Sequence, residues 1–308
     1  MKFAILGSGG VGGYFGARLA AAGSDVTFVA RGRHLEAMRK NGLRVTSALG
    51  DVVIDNPKAV DDIRKVGDVD LVIVAVKLWD TESAAESLKS LAAQGAGIVS
   101  FQNGVHKDET MRKYLPEHAI IGGVCYIAAV ISEPGVIAHS GTMQKLTFGE
   151  YDGSNSPRVQ AFYEACTEAG ITAEISSNIR RLIWEKFVFL VGLSGTTASI
   201  RKPIGPIREN KRTRAFLLDV MSEVVEVGRA KGVDLPAEFA QDRLAFCDGI
   251  PATMTSSMHH DLERGNRMEL PWLSGGVSDF GKDLGIATPK NDAIREILEL
   301  YVAGTVRK

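Results

Sequence analysis

At 308 residues the chain is longer than one hydrophobic core usually organises, so two domains are expected. Hydrophobic residues make up 45% and charged residues 24%, the proportions of an ordinary globular protein and not of a disordered or fibrous one. The formal net charge of -1 lacks the basic excess that nucleic acid or an anionic membrane would attract, so neither is an expected partner.

The chain opens on an apolar run, Lys2-Phe3-Ala4-Ile5-Leu6, that leads into Gly7-Ser8-Gly9-Gly10-Val11-Gly12 and then a small-residue amphipathic stretch at 14–22. Strand, glycine turn and helix in that order make a dinucleotide fingerprint. Gly7 permits the tight turn, Gly9 lets backbone N–H groups approach a pyrophosphate, and Gly12 lets the helix pack on the strand. Residues 7–12 are therefore the candidate phosphate cradle. A second strand at 25–30 completes the βαβ unit that the fingerprint requires. It ends in Arg31-Gly32-Arg33, where an NAD-selective site usually carries Asp or Glu for the ribose 2′-OH. A guanidinium there instead suits a 2′-phosphate, which makes NADP the expected cofactor. The plainer reading is that Arg31 and Arg33 are solvated charges after a strand.

Further along, residues 43–56 alternate around Gly50-Asp51 and read as a hairpin. Residues 71–76 form an apolar strand, 81–93 a helix and 97–101 another strand. The apolar run at 119–131 is interrupted by Gly122-Gly123 and is shorter than the about 20 residues a bilayer crossing needs, so it reads as a buried strand with its continuation. After Glu133-Pro134-Gly135, residues 136–149 read as a short antiparallel pair, and both hairpins are taken as decorations at the sheet edge. A helix at 158–169 and a strand at 171–175 follow. Continuous apolar strands belong to a parallel sheet covered on both faces, which predicts a doubly wound α/β domain over 1–176.

Beyond Ser176-Ser177-Asn178 the periods become helical, at 179–193, 211–231, 237–246, 254–265, 270–284 and 291–302. The segment 177–308 is thus expected to be a mostly α domain, with surface on which a homodimer can form. Cys125, Cys166 and Cys247 are odd in number and far apart, which suggests neither a disulfide framework nor a zinc knuckle and fits a reducing cytoplasm. The apolar stretch after Lys2 breaks at Gly7, so no export signal is read.

Ligands of open α/β sheets lie beyond the carboxyl ends of the strands. Lys77 follows one buried strand, and Asn103 in Gln102-Asn103-Gly104 follows the next. Lys77 suits cofactor or substrate oxygens, and Asn103 suits the nicotinamide amide or the substrate, against the plain readings of surface charge and turn residue. Lys186 lies in Ile183-Trp184-Glu185-Lys186-Phe187-Val188-Phe189, with apolar residues on nearly every face, so desolvation should lower its pKa. Such a lysine can protonate the alkoxide that develops when hydride adds to a carbonyl. Equally, it can be a snorkelling lysine paired with Glu185 or a facing acid. Glu269 suits three roles: orienting a substrate hydroxyl, holding Lys186 charged, or stabilising a helix start before Pro271. His259 and His260 are adjacent and point to different helix faces, so no metal is assigned.

Taken in order, Gly7-x-Gly9-x-x-Gly12 with Arg31, Val76-Lys77-x-Trp79, Gln102-Asn103-Gly104, Pro134-Gly135-x-x-x-His139-x-Gly141, Trp184-x-Lys186, Ser256-Ser257-Met258 with Asp261, and Gly285-Ile286-x-Thr288-Pro289 make a pattern. It resembles the ketopantoate reductase (2-dehydropantoate 2-reductase) family over almost the full length. The resemblance implies a Rossmann-type domain followed by a helical domain like the C-terminal one of 6-phosphogluconate dehydrogenase. It also implies NADPH-dependent reduction of ketopantoate, or a related 2-keto acid, in a cytoplasmic enzyme of pantothenate biosynthesis. The family's general acid falls on Lys186, its substrate-orienting acid on Glu269, its serine on Ser257 and its 2′-phosphate arginine on Arg31. Asn103, Lys186, Ser194, Ser257 and Glu269 are the implied substrate contacts, with Lys77 and Asn103 also facing the cofactor.

Departures bear on the substrate. Members acting on ketopantoate commonly carry asparagines one and two turns after the lysine, where this chain has Leu190 and Ser194. Leu270-Pro271-Trp272-Leu273-Ser274 replaces polar groups after the glutamate, and Asp80 stands where glutamine is frequent. Lost amide donors favour an apolar substituent on the substrate or relax the choice. Two rival readings are a β-hydroxyacid-type dehydrogenase and an NADP-sensing protein without turnover, which would not need Lys186.

Overall fold

The computed structural model describes residues 1–305, and the chain divides into two compact units. A sheet unit comprises Met1–Asn103 and Lys107–Ile179, and a helical unit comprises Gly104–His106 and the chain from Arg180 onward. In the sheet unit the order is β1 (Lys2–Leu6), α1 (Gly10–Ala21), β2 (Asp25–Val29), α2 (Gly32–Asn41), β3 (Leu43–Thr46), β4 (Val52–Ile54), β5 (Lys58–Val60), β6 (Leu71–Val74), α3 (Thr81–Ser87), α4 (Lys89–Ala93), β7 (Gly97–Ser100), α5 (His106–Arg112), β8 (Ile120–Glu133), β9 (Val136–Gly149), α6 (Pro157–Glu168) and β10 (Thr172–Ile175).

The spatial order is β4-β3-β9-β8-β7-β6-β1-β2-β5, with β10 on β9. From β5 to β8 every pairing is parallel. Side chains alternate across a strand, so Phe3 and Ile5 enter one core with Phe15, Phe28 and Phe162, while Ala4 and Leu6 enter another with Val72, Leu88 and Leu91. Two cores on opposite faces are what a doubly wound sheet requires, and the run at 119–131 becomes β8 within it.

Residues 136–149 depart from expectation. They form one strand of 14 residues, not a short pair, and it lies inside the sheet rather than at its edge. Its length explains this: the Val136–Ala138 end pairs with β3, the Lys145–Phe148 end with β10, and the other edge pairs along β8. The turn-like His139-Ser140-Gly141-Thr142 is a bulge, where the register with β8 jumps from Ile127↔Gln144 to Ala129↔His139 and Gly141 takes φ 75. The hairpin at 43–56 is present as β3–β4, but β3 joins β9 and so extends the sheet.

In the helical unit come α7 (Ile179–Ile200), α8 (Ile204–Glu209), α9 (Lys211–Ala230), α10 (Phe239–Gly249), α11 (Ser257–Arg264), α12 (Ser274–Leu284) and α13 (Pro289–Leu298). From Val191 to Ala198 every residue of α7 is buried, as expected of a helix with small or apolar residues all round. A Cβ on Gly192 would stand 2.4 Å from Met221, so this glycine sets the close approach of α9. The N-terminus of α13 is received by Glu223, which accepts from the backbone N–H groups of Lys290 (2.8 Å) and Asn291 (2.9 Å). Burial nevertheless pushes the Glu223 carboxyl above its usual range.

Candidate active site

At the glycine turn, space dictates the residues. Gly7 takes φ 97, and a Cβ there would lie 2.7 Å from the Val76 nitrogen. On Gly12 a Cβ would meet the Gly7 oxygen at 2.3 Å and the Ile5 side chain at 2.9 Å, and on Gly10 it would meet the Ala129 oxygen at 2.1 Å. Gly9 is different, because a Cβ there would meet nothing within 4 Å. It occupies the N-cap of α1, where no side chain caps the helix and no acid sits in the first turn. The first-turn amides, from Gly10 through Val11 and Gly12, thus head a positive helix end with open space beside it, which fits a dinucleotide pyrophosphate. Buried Ser8 fixes the turn to β2 through its N–H and its Oγ, both 3.1 Å from the Val29 oxygen.

His34 braces the same turn, a contact the sequence reading missed. Its Nδ1 accepts from the Gly135 N–H at 3.0 Å, so Nε2 carries the proton and donates to the Ser8 oxygen at 2.9 Å. Burial lowers its pKa, in keeping with a neutral ring.

Beside this turn, at the carboxyl ends of β1 and β2, lies a cavity of about 340 Å³. Leu6, Val29 and Val76 give it apolar walls, and Arg31, Arg64 and Asp80 give it charge. Exposed Arg31 lines this cavity at the end of β2, whereas Arg33 is not among the lining residues.

Lys77 is exposed, with its ammonium 5.6 Å from the centre of the Trp79 ring. Asn103 is half-buried. Gln102 laces their two turns together: its Nε2 donates to the Lys77 carbonyl (3.3 Å) and the Thr81 hydroxyl (2.8 Å), and its Oε1 accepts from Ser100 (2.9 Å). A second unforeseen device lies below. Lys107, fully buried, donates to the Ser100 carbonyl at 3.0 Å and to Asp108 at 2.8 Å, and the Tyr151 hydroxyl also donates to Asp108 at 2.6 Å. Burial first, and the Asp108 charge second, hold the Tyr151 hydroxyl well above its usual pKa. Two adjacent charges after an Asn-Gly turn look like surface, and no local signal distinguishes them.

In the helical unit, Lys186 is half-buried on α7. Glu185 is engaged by Arg181, whose Nε donates to it at 2.8 Å. Leu190 and Ser194 follow Lys186 at four-residue steps, on nearly the same helix face. The Ser194 hydroxyl is fully buried and has no hydrogen-bond partner among the described residues, and the same holds for Ser274 at the start of α12. A Cβ on Gly195 would lie 3.1 Å from the Ser274 Oγ, so that hydroxyl rests against α7 at Gly195. Ser257 is exposed at the first position of α11. Its predecessor Ser256 caps that helix through the His259 N–H and lies 3.1 Å from the Thr197 hydroxyl, which hangs α11 on α7. Glu269 is buried, immediately before the single helical turn Leu270–Trp272.

Both units match a known family. Its models describe "Ketopantoate reductase PanE/ApbA", matching residues 3–153, and "Ketopantoate reductase PanE/ApbA C terminal", matching residues 178–302. The 2-dehydropantoate 2-reductase of Archaeoglobus fulgidus is 34% identical over 303 residues, which is 97% of this chain and 97% of that protein. The crystal structure of a PanE/ApbA family ketopantoate reductase from Ralstonia eutropha matches with a TM-score of 0.89 at 32% identity, covering 98% of each chain. The chain belongs to the ketopantoate reductase family. The resemblance carried by the ordered motifs is thereby borne out, as is the architecture of a Rossmann-like unit followed by a helical one. Membership makes the protein an oxidoreductase that interconverts a carbonyl and an alcohol. Relatives extend beyond named reductases: "Uncharacterized oxidoreductase YkpB" of Bacillus subtilis is 31% identical over 305 residues, 98% of this chain and 99% of that protein. Among the described residues no helix is long and apolar enough to cross a membrane.

Proposed function

We propose that this ketopantoate reductase family member is an NADPH-dependent 2-keto acid reductase, with ketopantoate as its first candidate substrate and pantoate as the product. One observation carries the reading: the helix bearing half-buried Lys186 also carries Ser194, whose hydroxyl, like that of Ser274 packed against the same helix at Gly195, is buried and without a partner among the described residues. Buried polar atoms left in that state are ones a polar ligand can satisfy.

A bound nicotinamide supplies a hydride to the carbonyl carbon. Lys186 donates a proton from Nζ to the carbonyl oxygen as alkoxide charge develops, and its positive charge stabilises that oxygen on the way. Glu269 orients the substrate through its carboxylate, and the Ser194 and Ser257 hydroxyls donate to substrate oxygens. The turn from Gly7 to Gly12, with Ser8, holds the pyrophosphate, Arg31 holds the 2′-phosphate, Lys77 meets cofactor oxygens and Asn103 meets the carboxamide of the nicotinamide. Leu190, Pro271 and Trp272 replace amide and acid groups, so 2-keto acids with an apolar branch are reduced at least as well as ketopantoate.

The test is NADPH consumption by purified protein across a panel of 2-keto acids with and without the hydroxymethyl group. Lys186→Ala should lower kcat by about 10³-fold. Absence of turnover with every member of the panel, or a full rate in that variant, overturns the reading.

A further inference from the structure

The wall of the cavity beside β2 raises a problem of charge. Arg31 is one guanidinium, and the same wall carries Asp61, Asp62 and Asp80. A phosphomonoester near neutral pH carries between one and two negative charges, so three carboxylates around it would oppose its binding unless they are themselves paired.

Two of them are paired, and the pairing is informative. Lys65 neutralises Asp61 at 2.6 Å. Asp62 caps the single turn Ile63–Lys65 by accepting from the Arg64 N–H at 2.9 Å, and it also takes the Arg64 side chain, with Nε 3.0 Å from each carboxylate oxygen and Nη2 on Oδ2. The Arg64 side chain holds the Asp62 carboxyl down at about 2. Paired along its Nε–Nη2 edge with a carboxylate two residues away, the exposed guanidinium keeps two further N–H donors on Nη1. It lines the same cavity as Arg31. The turn that bears it follows β5, and β5 lies parallel to β2 with Val60 opposite Val29, so the sheet itself brings residues 61–64 beside the end of β2.

Resting on the NADP reading above, the geometry points to Arg64 as a second specificity-determining guanidinium for the 2′-phosphate, held in place by Asp62 as its positioning residue. Arg31 and Arg64 then grip the phosphomonoester from neighbouring turns, and Asp80 is left as the carboxylate that a ribose hydroxyl can use.

Isothermal titration of the full chain with 2′,5′-ADP and with 5′-ADP separates this inference from the reading beneath it. The wild type should prefer 2′,5′-ADP. Arg64→Ala should lose about ten-fold in 2′,5′-ADP affinity, the scale of a charge-assisted contact at a solvent-open wall, and little for 5′-ADP. Lys58→Ala, which removes a cation from β5 that neither lines the cavity nor pairs with its carboxylates, should keep both affinities. Arg64→Gln guards against a local folding effect and should repeat the Arg64→Ala result with an unchanged melting curve. If the wild type discriminates and Arg64→Ala keeps that preference, or if Lys58→Ala loses as much, Arg64 is not the determinant. Equal wild-type affinity for the two nucleotides overturns the NADP reading itself and the inference with it.

Discussion

Around Gly9 the polar atoms that face open space are backbone amides, whereas along α7 the candidate groups are side chains, half-buried Lys186 and buried Ser194, on a helix that is otherwise largely apolar. The first arrangement is specified by exclusion, since a Cβ on Gly7, Gly10 or Gly12 would strike backbone within 3 Å. The second is specified by placement, since one turn of rotation along α7 exchanges a hydroxyl for a leucine. A backbone site should therefore fail through added atoms and a side-chain site through removed ones.

The largest stability effect expected lies where this contrast is weakest, in the sheet unit's own side-chain device. Lys107→Ala leaves Asp108 charged and buried with only the Tyr151 hydroxyl still donating to it, and should cost about 3–5 kcal/mol in denaturant unfolding. A much smaller loss would mean that Asp108 is readily hydrated or neutralised. Next comes the glycine pair. Gly12→Ala drives a methyl to within 2.3 Å of the Gly7 oxygen and should destabilise by about 1–3 kcal/mol or more. Gly9→Ala adds its methyl to open space, so its melting curve should match the wild type while NADPH affinity falls at least about ten-fold. Equal melting losses in the two variants would break the distinction between packing glycine and ligand glycine.

How much of this was readable from sequence follows the same divide. The glycine turn and the apolar strands obey local rules of φ and alternation, and the structure has both; Arg31 follows β2 and lines the cavity there. Lys107 could not be read, because its burial depends on Ser100 and on Tyr151, which lies 43 residues from Asp108. Arg64 carries no local signal in the sequence, since its place on the same cavity wall as Arg31 comes only from β5 pairing with β2. Residues 136–149 read as a short antiparallel pair, and only the pairing with β8 shows that the polar stretch around Gly141 is a bulge in one strand. On α7 the sequence singled out Lys186, but not that the Ser194 hydroxyl would lack a partner.

His34 sharpens the comparison from between, since a side chain there supports the backbone site. His34→Ala removes hydrogen bonds to the Ser8 carbonyl and the Gly135 N–H and should cost about 1–2 kcal/mol. Burial depresses its pKa in the folded state below the usual 6.5, so the unfolded chain takes up the proton first as pH falls. The contribution of the ring is complete above about pH 6.5 and is lost as pH drops from there toward the folded pKa. Unfolding measured from pH 8 to 5 should show a shallower acid slope in His34→Gln, whose amide can donate and accept as the neutral ring does. An unchanged slope would assign the acid sensitivity to other groups.

The smallest effect on stability, and the cleanest separation of stability from function, is expected at Ser194. A buried hydroxyl without a partner is a cost to the fold, so Ser194→Ala should unfold within about 1 kcal/mol of the wild type and on the stable side if it shifts. If that hydroxyl exists for a substrate oxygen, the same variant raises KM for the preferred 2-keto acid by about ten-fold while leaving NADPH affinity untouched. Ser274→Ala, which removes the buried hydroxyl resting against α7 at Gly195, should behave alike. A Ser194→Ala protein that is less stable and kinetically unchanged would instead make this hydroxyl part of the packing of α7, and the helical unit would have lost the observation that marks its polar face as a site.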